Sequence, residues 1–459
     1  MESNSFTNFV RVISERKSKL SFLLSTVAVF ILLTAPSSYA IPNFARQTNL
    51  SCNYCHYTFP QLTSFGRMFK LNGYTTTYIA NLEAVSPDSQ RATLKIPQNF
   101  AFGAFVTSSF TSVSKPIPGT DDRFVLSPEE ISVFLSGEIS PKIGGYVQLS
   151  YAQSDGAIGL DMLDIRYANH TNLGGKDLLY GLTLNNMPTT EDPWNTTPVW
   201  GFPYFSSEPA PVPAASTYLQ MAMGGVAGLG AYALYNKLIY ANVAVYHSSP
   251  AGVSYPPDST WMRSIKGLAP YWRLAVQHQW GSQYLEVGTF GIFSSIYPMG
   301  ISGTTNKYTD VGFDAQFEST NDNGGSWIFH AAYITEKQNL DATYKAGGSV
   351  NTSNTLNSLK MDLSYNFPEW ASLTAGYFNV SGSGDSGLYA PGAVTGSLSG
   401  KPNSSGEIFQ LTFLPWMNTQ FAVQYTVYNT FNGSGSNYDG SGRNASDNNT
   451  LYIKGWLAF

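Results

Sequence analysis

From about residue 98 to the end of the chain, apolar and polar residues alternate one by one, segment after segment. Val311, Phe313, Ala315 and Phe317 interleave with Gly312, Asp314, Gln316 and Glu318. Leu359, Met361, Leu363 and Tyr365 interleave with Lys360, Asp362 and Ser364, and Phe421, Val423, Tyr425 and Val427 with Ala422, Gln424, Thr426 and Tyr428. Leu163, Ile165 and Tyr167 against Asp164 and Arg166 repeat the theme. Successive strand side chains point to opposite faces, so each segment has one apolar face and one polar or small face. A soluble sandwich alternates in the same way. The pattern therefore fixes strands but not the solvent around them.

Composition bears on the solvent. Only 12% of the 459 residues are charged, against a usual ~25%, while 14% are aromatic and 42 are glycine. The charges that remain sit inside alternating segments, where a membrane barrel would turn them into a wet lumen. No apolar run of 18 residues follows Ala40, which excludes a helical membrane protein. The last strand places Leu451, Ile453, Gly455, Leu457 and the terminal Phe459 on one face, resembling the carboxy-terminal assembly signal of bacterial outer-membrane barrels. The expected fold is all-β: an outer-membrane antiparallel β-barrel with short turns on one side. Long polar connections fall at about 114–127, 187–215, 248–265, 338–355, 382–405 and 431–448. The last is rich in Gly, Ser and Asn and is expected to be loose. Seventeen strand candidates follow Gln98, but single-chain barrels use even numbers. At roughly 22–23 residues per strand with its loops, residues 95–459 give about 16 strands.

Residues 1–40 read as an export signal: Arg11, Arg16, Lys17 and Lys19, then Leu20 to Leu33, then Ser38-Tyr39-Ala40 as a small-x-small cleavage site. The basic start is long for the type. Removing its four basic and two acidic residues moves the formal charge from −5 to −7. That argues against nucleic acid as a partner.

Residues 41–94 do not alternate. Their two cysteines, the only ones in the chain, stand in Cys52-Asn53-Tyr54-Cys55-His56. C-x-x-C-H is the attachment signal for haem c: two thiols on one helical turn bond the two vinyl groups, and the histidine binds the iron axially. A redox dithiol has no use for a histidine directly after its second cysteine. A zinc site needs two further soft ligands, and none follow. Leu62, Phe65, Phe69 and Leu71 have helical spacing, and Gly73 stops the helix. Some fifty residues are too few to close a core around haem alone, so this segment is expected in or at the barrel mouth as a small helical c-type haem plug.

Phe44-Ala45-Arg46-Gln47-Thr48, the haem motif, and Phe65-Gly66-Arg67-Met68-Phe69-Lys70-Leu71-Asn72-Gly73-Tyr74 together resemble the fused monohaem cytochrome c–porin family of the bacterial outer membrane. A looser match runs from Asn185-Asn186-Met187-Pro188 through Asp192-Pro193-Trp194-Asn195-Thr196-Thr197-Pro198 to Trp200-Gly201-Phe202-Pro203-Tyr204. The resemblance implies a porin of about 16 strands with one covalent haem, accessible from outside. It implies an iron:cytochrome c oxidoreductase with extracellular Fe(II) as electron donor and a periplasmic c-type cytochrome or copper protein as acceptor. Only Cys52, Cys55 and His56 carry over residue by residue.

Outer-sphere electron transfer from Fe(II) needs no acid–base group, so no catalytic residue is expected beyond the haem ligands. The sixth ligand is open: Met68, twelve residues past His56, could fold back and raise the potential, or could pack with Phe65 and Phe69. Strand parity turns His330 and His170 toward the lumen, and His247 and His278 toward the interfacial girdle. Arg46, Arg67 and Lys70 are candidate partners for the haem propionates. Three rival readings stand beside this one. They are a solute porin with a vestigial haem segment, a structural or adhesive barrel, and a conduit for another extracellular donor or acceptor.

Overall fold

The computed structural model describes residues 43–76, 79, 81–85, 92–97, 102–153, 156–197, 201–221, 225–248, 262–368 and 370–459. The expected signal segment, residues 1–40, lies outside them.

The described residues begin with three short helices: α1 (Asn43–Thr48), α2 (Cys52–Cys55) and α3 (Ser64–Leu71). A two-stranded hairpin follows, β1 (Asn81–Val85) with β2 (Ala92–Pro97), so the boundary drawn between residues 94 and 95 falls inside β2. The barrel begins with β3 (Phe102–Val113), β4 (Arg123–Ser140), β5 (Ile143–Ala152), β6 (Ala157–Leu173), β7 (Lys176–Asn185), β8 (Val226–Tyr235) and β9 (Ile239–Ser248). It continues with β10 (Met262–Ile265), β11 (Ala269–Trp280), β12 (Gln283–Met299), β13 (Asn306–Thr320), β14 (Ser326–Asn339) and β15 (Ser353–Phe367). The last four are β16 (Ala371–Gly382), β17 (Ser404–Trp416), β18 (Thr419–Thr430) and β19 (Thr450–Ala458).

All neighbours are antiparallel, β19 pairs with β3, and β9 pairs with β11. Sixteen strands thus close a barrel. The seventeenth segment, β10, covers the overhang of β12 beyond the end of β11, with Met262 opposite Met299. Closure leaves no unpaired strand edge against lipid. At the seam, the Phe459 N–H donates to the Ala104 carbonyl at 2.9 Å and the Ala104 N–H returns the bond at 2.8 Å.

The alternation read from the sequence sorts the two faces. Phe313 is 57% exposed while Asp314 is 4%, and Leu363 is 45% exposed while Asp362 is 5%. The apolar face looks out to lipid and the polar face into the lumen. At the short-turn end an outward row of aromatics runs from Trp327 to Tyr365 (4.7 Å between centroids), Phe367 (4.8 Å) and Trp370 (5.0 Å). His278 stacks on Trp280 at 5.7 Å at the same end. This is the girdle expected at a membrane interface.

One expectation fails. Residues 431–448 do not form a loose loop but a packed cap in which Phe431, Tyr438 and Ala445 are buried together. Arg443 donates to Asn448 Oδ1 and to the carbonyls of Pro116, Lys115 and Asp447. Three apolar anchors and one arginine suffice to fix a segment whose Gly, Ser and Asn content signals mobility.

Candidate functional site

The haem motif is built by local hydrogen bonds. The His56 N–H donates to the Cys52 carbonyl at 2.8 Å, closing α2, and the Thr63 N–H donates to the Cys55 carbonyl at 2.9 Å. Thr63 caps α3 by accepting from the Gly66 N–H at 3.1 Å. Gly66 is required by close approach, because a Cβ there would stand 2.2 Å from the Cys55 carbonyl oxygen. The ring nitrogen Nδ1 of His56 hydrogen-bonds the Pro60 carbonyl at 3.2 Å. As a donor to a carbonyl, Nδ1 holds the proton, and Nε2 is left with the lone pair that a metal ligand needs.

The helices sit inside the short-turn mouth. From α1, the Asn43 amide donates to the Phe134 carbonyl at 3.1 Å and Gln47 to the Ser136 carbonyl at 2.9 Å. Arg46 donates to the Phe102 carbonyl at 2.9 Å. Across the lumen Tyr57 donates to Glu318 at 2.8 Å, Arg67 forms a buried ion pair with the same carboxylate, and Thr58 donates to Asn366 at 3.0 Å. Tyr74 donates to Asp164 at 2.6 Å, and the Leu71 carbonyl accepts from Tyr232 at 2.6 Å.

Between these helices and the wall lies a cavity of about 240 Å³. Cys52, Cys55 and His56 line one side of it, and Phe105, Phe134 and Trp456 of the barrel line the other. Burial pushes both thiols up to about 11, so they are neutral at pH 7, the opposite of a reactive dithiol. Burial pushes His56 down to about 4, which keeps the imidazole neutral, as ligation requires.

These residues fit a c-type haem. Two thiols on one turn, a histidine oriented through Nδ1 by the Pro60 carbonyl and an apolar cavity meet at one place. The Gln420 side chain, 5% exposed and on the cavity wall, has an Nε2 with no hydrogen-bond partner among the described residues. It is a donor suited to the polar edge of such a group. Of the three basic candidates for the propionates, only Lys70 lines the cavity. Arg46 is used on the Phe102 carbonyl and Arg67 on Glu318. Burial lowers Lys70 to about 8, and its Nζ donates to the Asp192 carbonyl at 3.3 Å.

None of the three sequence candidates for the sixth ligand lines the cavity. Met68 packs against a cluster of its own helix's Leu71 with Leu179, Tyr232 and Tyr284 of the wall. His330 does face the lumen, 3% exposed, but its Nδ1 is on Asp362 at 3.1 Å. His170 stands at the rim with Nδ1 on Asp177 at 3.0 Å and Nε2 on Asn72 at 2.8 Å. Parity placed the two histidines on the right face and could not place them along the barrel axis. Met417 and Gln420 do line the cavity. Met417 arrives from the β17–β18 turn and Gln420 from the start of β18, more than 300 residues after the haem motif, with no local signal to mark them.

A second body occupies the lumen. Residues 186–197 and 201–221, between β7 and β8, fold inward and rise from the plug toward the long-loop end. Asn195 accepts from the Leu62 N–H at 3.0 Å, tying this segment to the plug. Asp192 accepts from the Trp194, Thr196 and Thr197 N–H groups at 2.8, 3.0 and 2.9 Å. Arg273 pairs with Asp192 at 3.4 Å, Glu286 at 3.3 Å and Asp314. Higher up, the Tyr218 N–H donates to Glu336 and the Leu219 N–H to Asp310. Asp192 and Asn195 therefore stand between the cavity and the long-loop end. The cavity opens nearer the short-turn mouth than the outer surface.

Fold and lumen together define the class: an outer-membrane, porin-like barrel of 16 antiparallel strands carrying a small helical segment in its mouth. No protein-family model matches the chain, and no curated protein sequence matches it. Among solved structures it is similar to Salmonella typhi OmpF in complex with daunomycin, at 13% identity and a TM-score of 0.46 over 78% of this chain and 97% of that one. It is also similar to the outer membrane channel DcaP of Acinetobacter baumannii, at 12% identity and a TM-score of 0.43 over 78% and 96%. An anion-selective porin from Comamonas acidovorans aligns at 10% identity and a TM-score of 0.44 over 78% and 98%.

Proposed function

We propose that this chain is an outer-membrane cytochrome fused to a porin. One haem c is held by Cys52, Cys55 and His56, with an extracellular electron donor and a periplasmic c-type cytochrome or copper protein as acceptor. Fe(II) is the donor the family resemblance implies. The observation that carries the reading is the meeting of the C-x-x-C-H turn, the Nδ1 bond of His56 to Pro60 and an apolar cavity between plug and wall. When bound, such a haem would supply one-electron redox chemistry, the electron lost by the donor being taken up by the periplasmic acceptor.

The protein's own residues do the remaining work. Cys52 and Cys55 tether, His56 ligates, and Phe44, Phe69 and Tyr74 exclude water from the cavity. Tyr54, Phe59 and Phe65, exposed near the motif, leave an apolar rim within reach of a periplasmic partner. No side chain has to move a proton. Keeping the iron outside suits the chemistry, since Fe(III) hydrolyses and precipitates. The donor's electron has to pass the segment at 186–221, and the acceptor side is close at hand.

The polar lumen of a 16-strand barrel favours a second reading, a solute porin with a vestigial haem segment. Full-length protein made in a haem-attaching host separates the two. The proposal expects haem that survives a denaturing gel and is reduced by Fe(II) in stopped-flow over some range of pH. Protein without covalent haem would leave the porin reading. Haem reduced by other donors but never by Fe(II) would keep the conduit and remove iron.

A further inference from the structure

We propose that Met417, in the turn between β17 and β18, is the second axial ligand of the iron, opposite His56. The proposal rests on the haem reading above. Cys52, Cys55 and His56 all belong to the plug side of the cavity, so a haem tethered there turns its other face to the barrel wall. Of the wall residues lining the cavity, Met417 alone offers a soft donor that is neutral without losing a proton. Of the other wall residues, Phe105, Leu414 and Trp456 offer no ligand atom, and Tyr146 and Gln420 offer only hard oxygen or nitrogen donors. Ser136 is engaged by Asn43 at 2.5 Å, and Lys70 comes from the plug side, bonded to the Asp192 carbonyl.

The turn is built to aim this side chain. Pairing between β17 and β18 shifts register between Phe413 and Trp416, an irregularity of the kind that redirects side chains at a barrel rim. The next residue, Asn418, is pinned to the end of β19. Its amide donates to the Ala458 carbonyl at 3.1 Å, and its own carbonyl accepts the Ala458 N–H at 2.8 Å. Met417 is thereby half-buried over the cavity, whereas a short periplasmic turn has no need of an apolar residue. Histidine–methionine ligation raises the haem potential. A high potential is what an acceptor for Fe(II) electrons requires.

The test is the optical and magnetic spectrum of the full-length haem protein, with Met417→Leu, Met417→His and Met68→Leu beside it. Ferric wild type should show the weak far-red charge-transfer band of sulfur ligation and the strongly upfield methionine methyl resonance. Met417→Leu should lose both, lower the midpoint potential and open the iron to cyanide. Met417→His should give a low-spin bis-histidine spectrum at lower potential, which shows that the variant folds. Met68→Leu should change none of these. A sulfur-ligated spectrum that persists in Met417→Leu, or that vanishes in Met68→Leu, overturns the assignment, as does a wild type with no sulfur signature. Absence of covalent haem from the wild type would instead remove the reading beneath it.

Discussion

Two bodies fill this lumen, and they differ in what they present to it. The segment at 186–221 is held by buried charge. Arg273 meets three carboxylates, and Arg166 lies 2.9 Å from Asp164 and 3.5 Å from Glu191. The plug at 43–76 is held by a buried ion pair of Arg67 with Glu318 and by hydrogen bonds to the rim, the far wall and the inner segment, and it presents Phe44, Phe65 and Phe69 with Cys52 and Cys55 to a cavity. The inner segment exchanges ion pairs and hydrogen bonds with the lumen wall along its course, from Glu191 and Asp192 to Tyr218 and Leu219. A segment that holds a flat apolar cofactor must leave an apolar space with its attachment groups on the edge. On the proposed reading, the contrast separates a scaffold from a haem receptor within one barrel.

The largest effect should fall on the receptor alone. Cys52→Ser with Cys55→Ser should abolish haem on a denaturing gel stained for peroxidase activity, while the folded barrel keeps its heat-shifted mobility. Loss of the barrel as well would break the division. Next, Arg273→Leu strips compensation from Asp192, Glu286 and Asp314, at a cost of about 3–5 kcal/mol. Single-channel conductance and protease cleavage within 186–221 should both rise while haem content stays. A fall in haem at unchanged conductance would mean that the two bodies are one unit. Gly66→Ala presses a methyl on the Cys55 carbonyl, and overpacking of this kind costs about 1–3 kcal/mol. The haem-to-protein ratio should drop without reaching zero, and conductance should not change. Smallest of all, His330→Ala and His170→Ala should leave the haem spectrum unaltered, since neither residue lines the cavity.

How much of this could be read in advance differs between the same regions. Period 2 placed Phe313 and Asp314 on their faces, because one face against lipid and one against water leave no other register. The Cys52–His56 spacing and the stop at Gly73, with φ of 69°, were equally local. What escaped depends on closure. The wall side of the cavity joins β3, β4, β5 and β17 to β19, and Met417 and Gln420 come from a turn and the strand start after it, with nothing distinctive in their sequence. Residues 187–215 read as a long polar connection, and the inward course of the described ones, 187–197 and 201–215, follows from partners such as Arg273 and Asp314 on distant strands. The depth of the plug is of the same kind. The fifty-residue argument brought it to the mouth, and hydrogen bonds to Phe134, Ser136 and Glu318 put it at the short-turn end, although the resemblance implied a haem accessible from outside.

The central claim is that the plug carries electrons through a barrel closed to solutes. Proteoliposomes with the barrel oriented as in the cell test it directly, given Fe(II) outside and a membrane-impermeant acceptor inside. The account predicts that the haem band is reduced, that the inner acceptor follows, and that small-solute flux stays low. Rapid solute flux with the haem band unmoved by Fe(II) at every pH tested would contradict it.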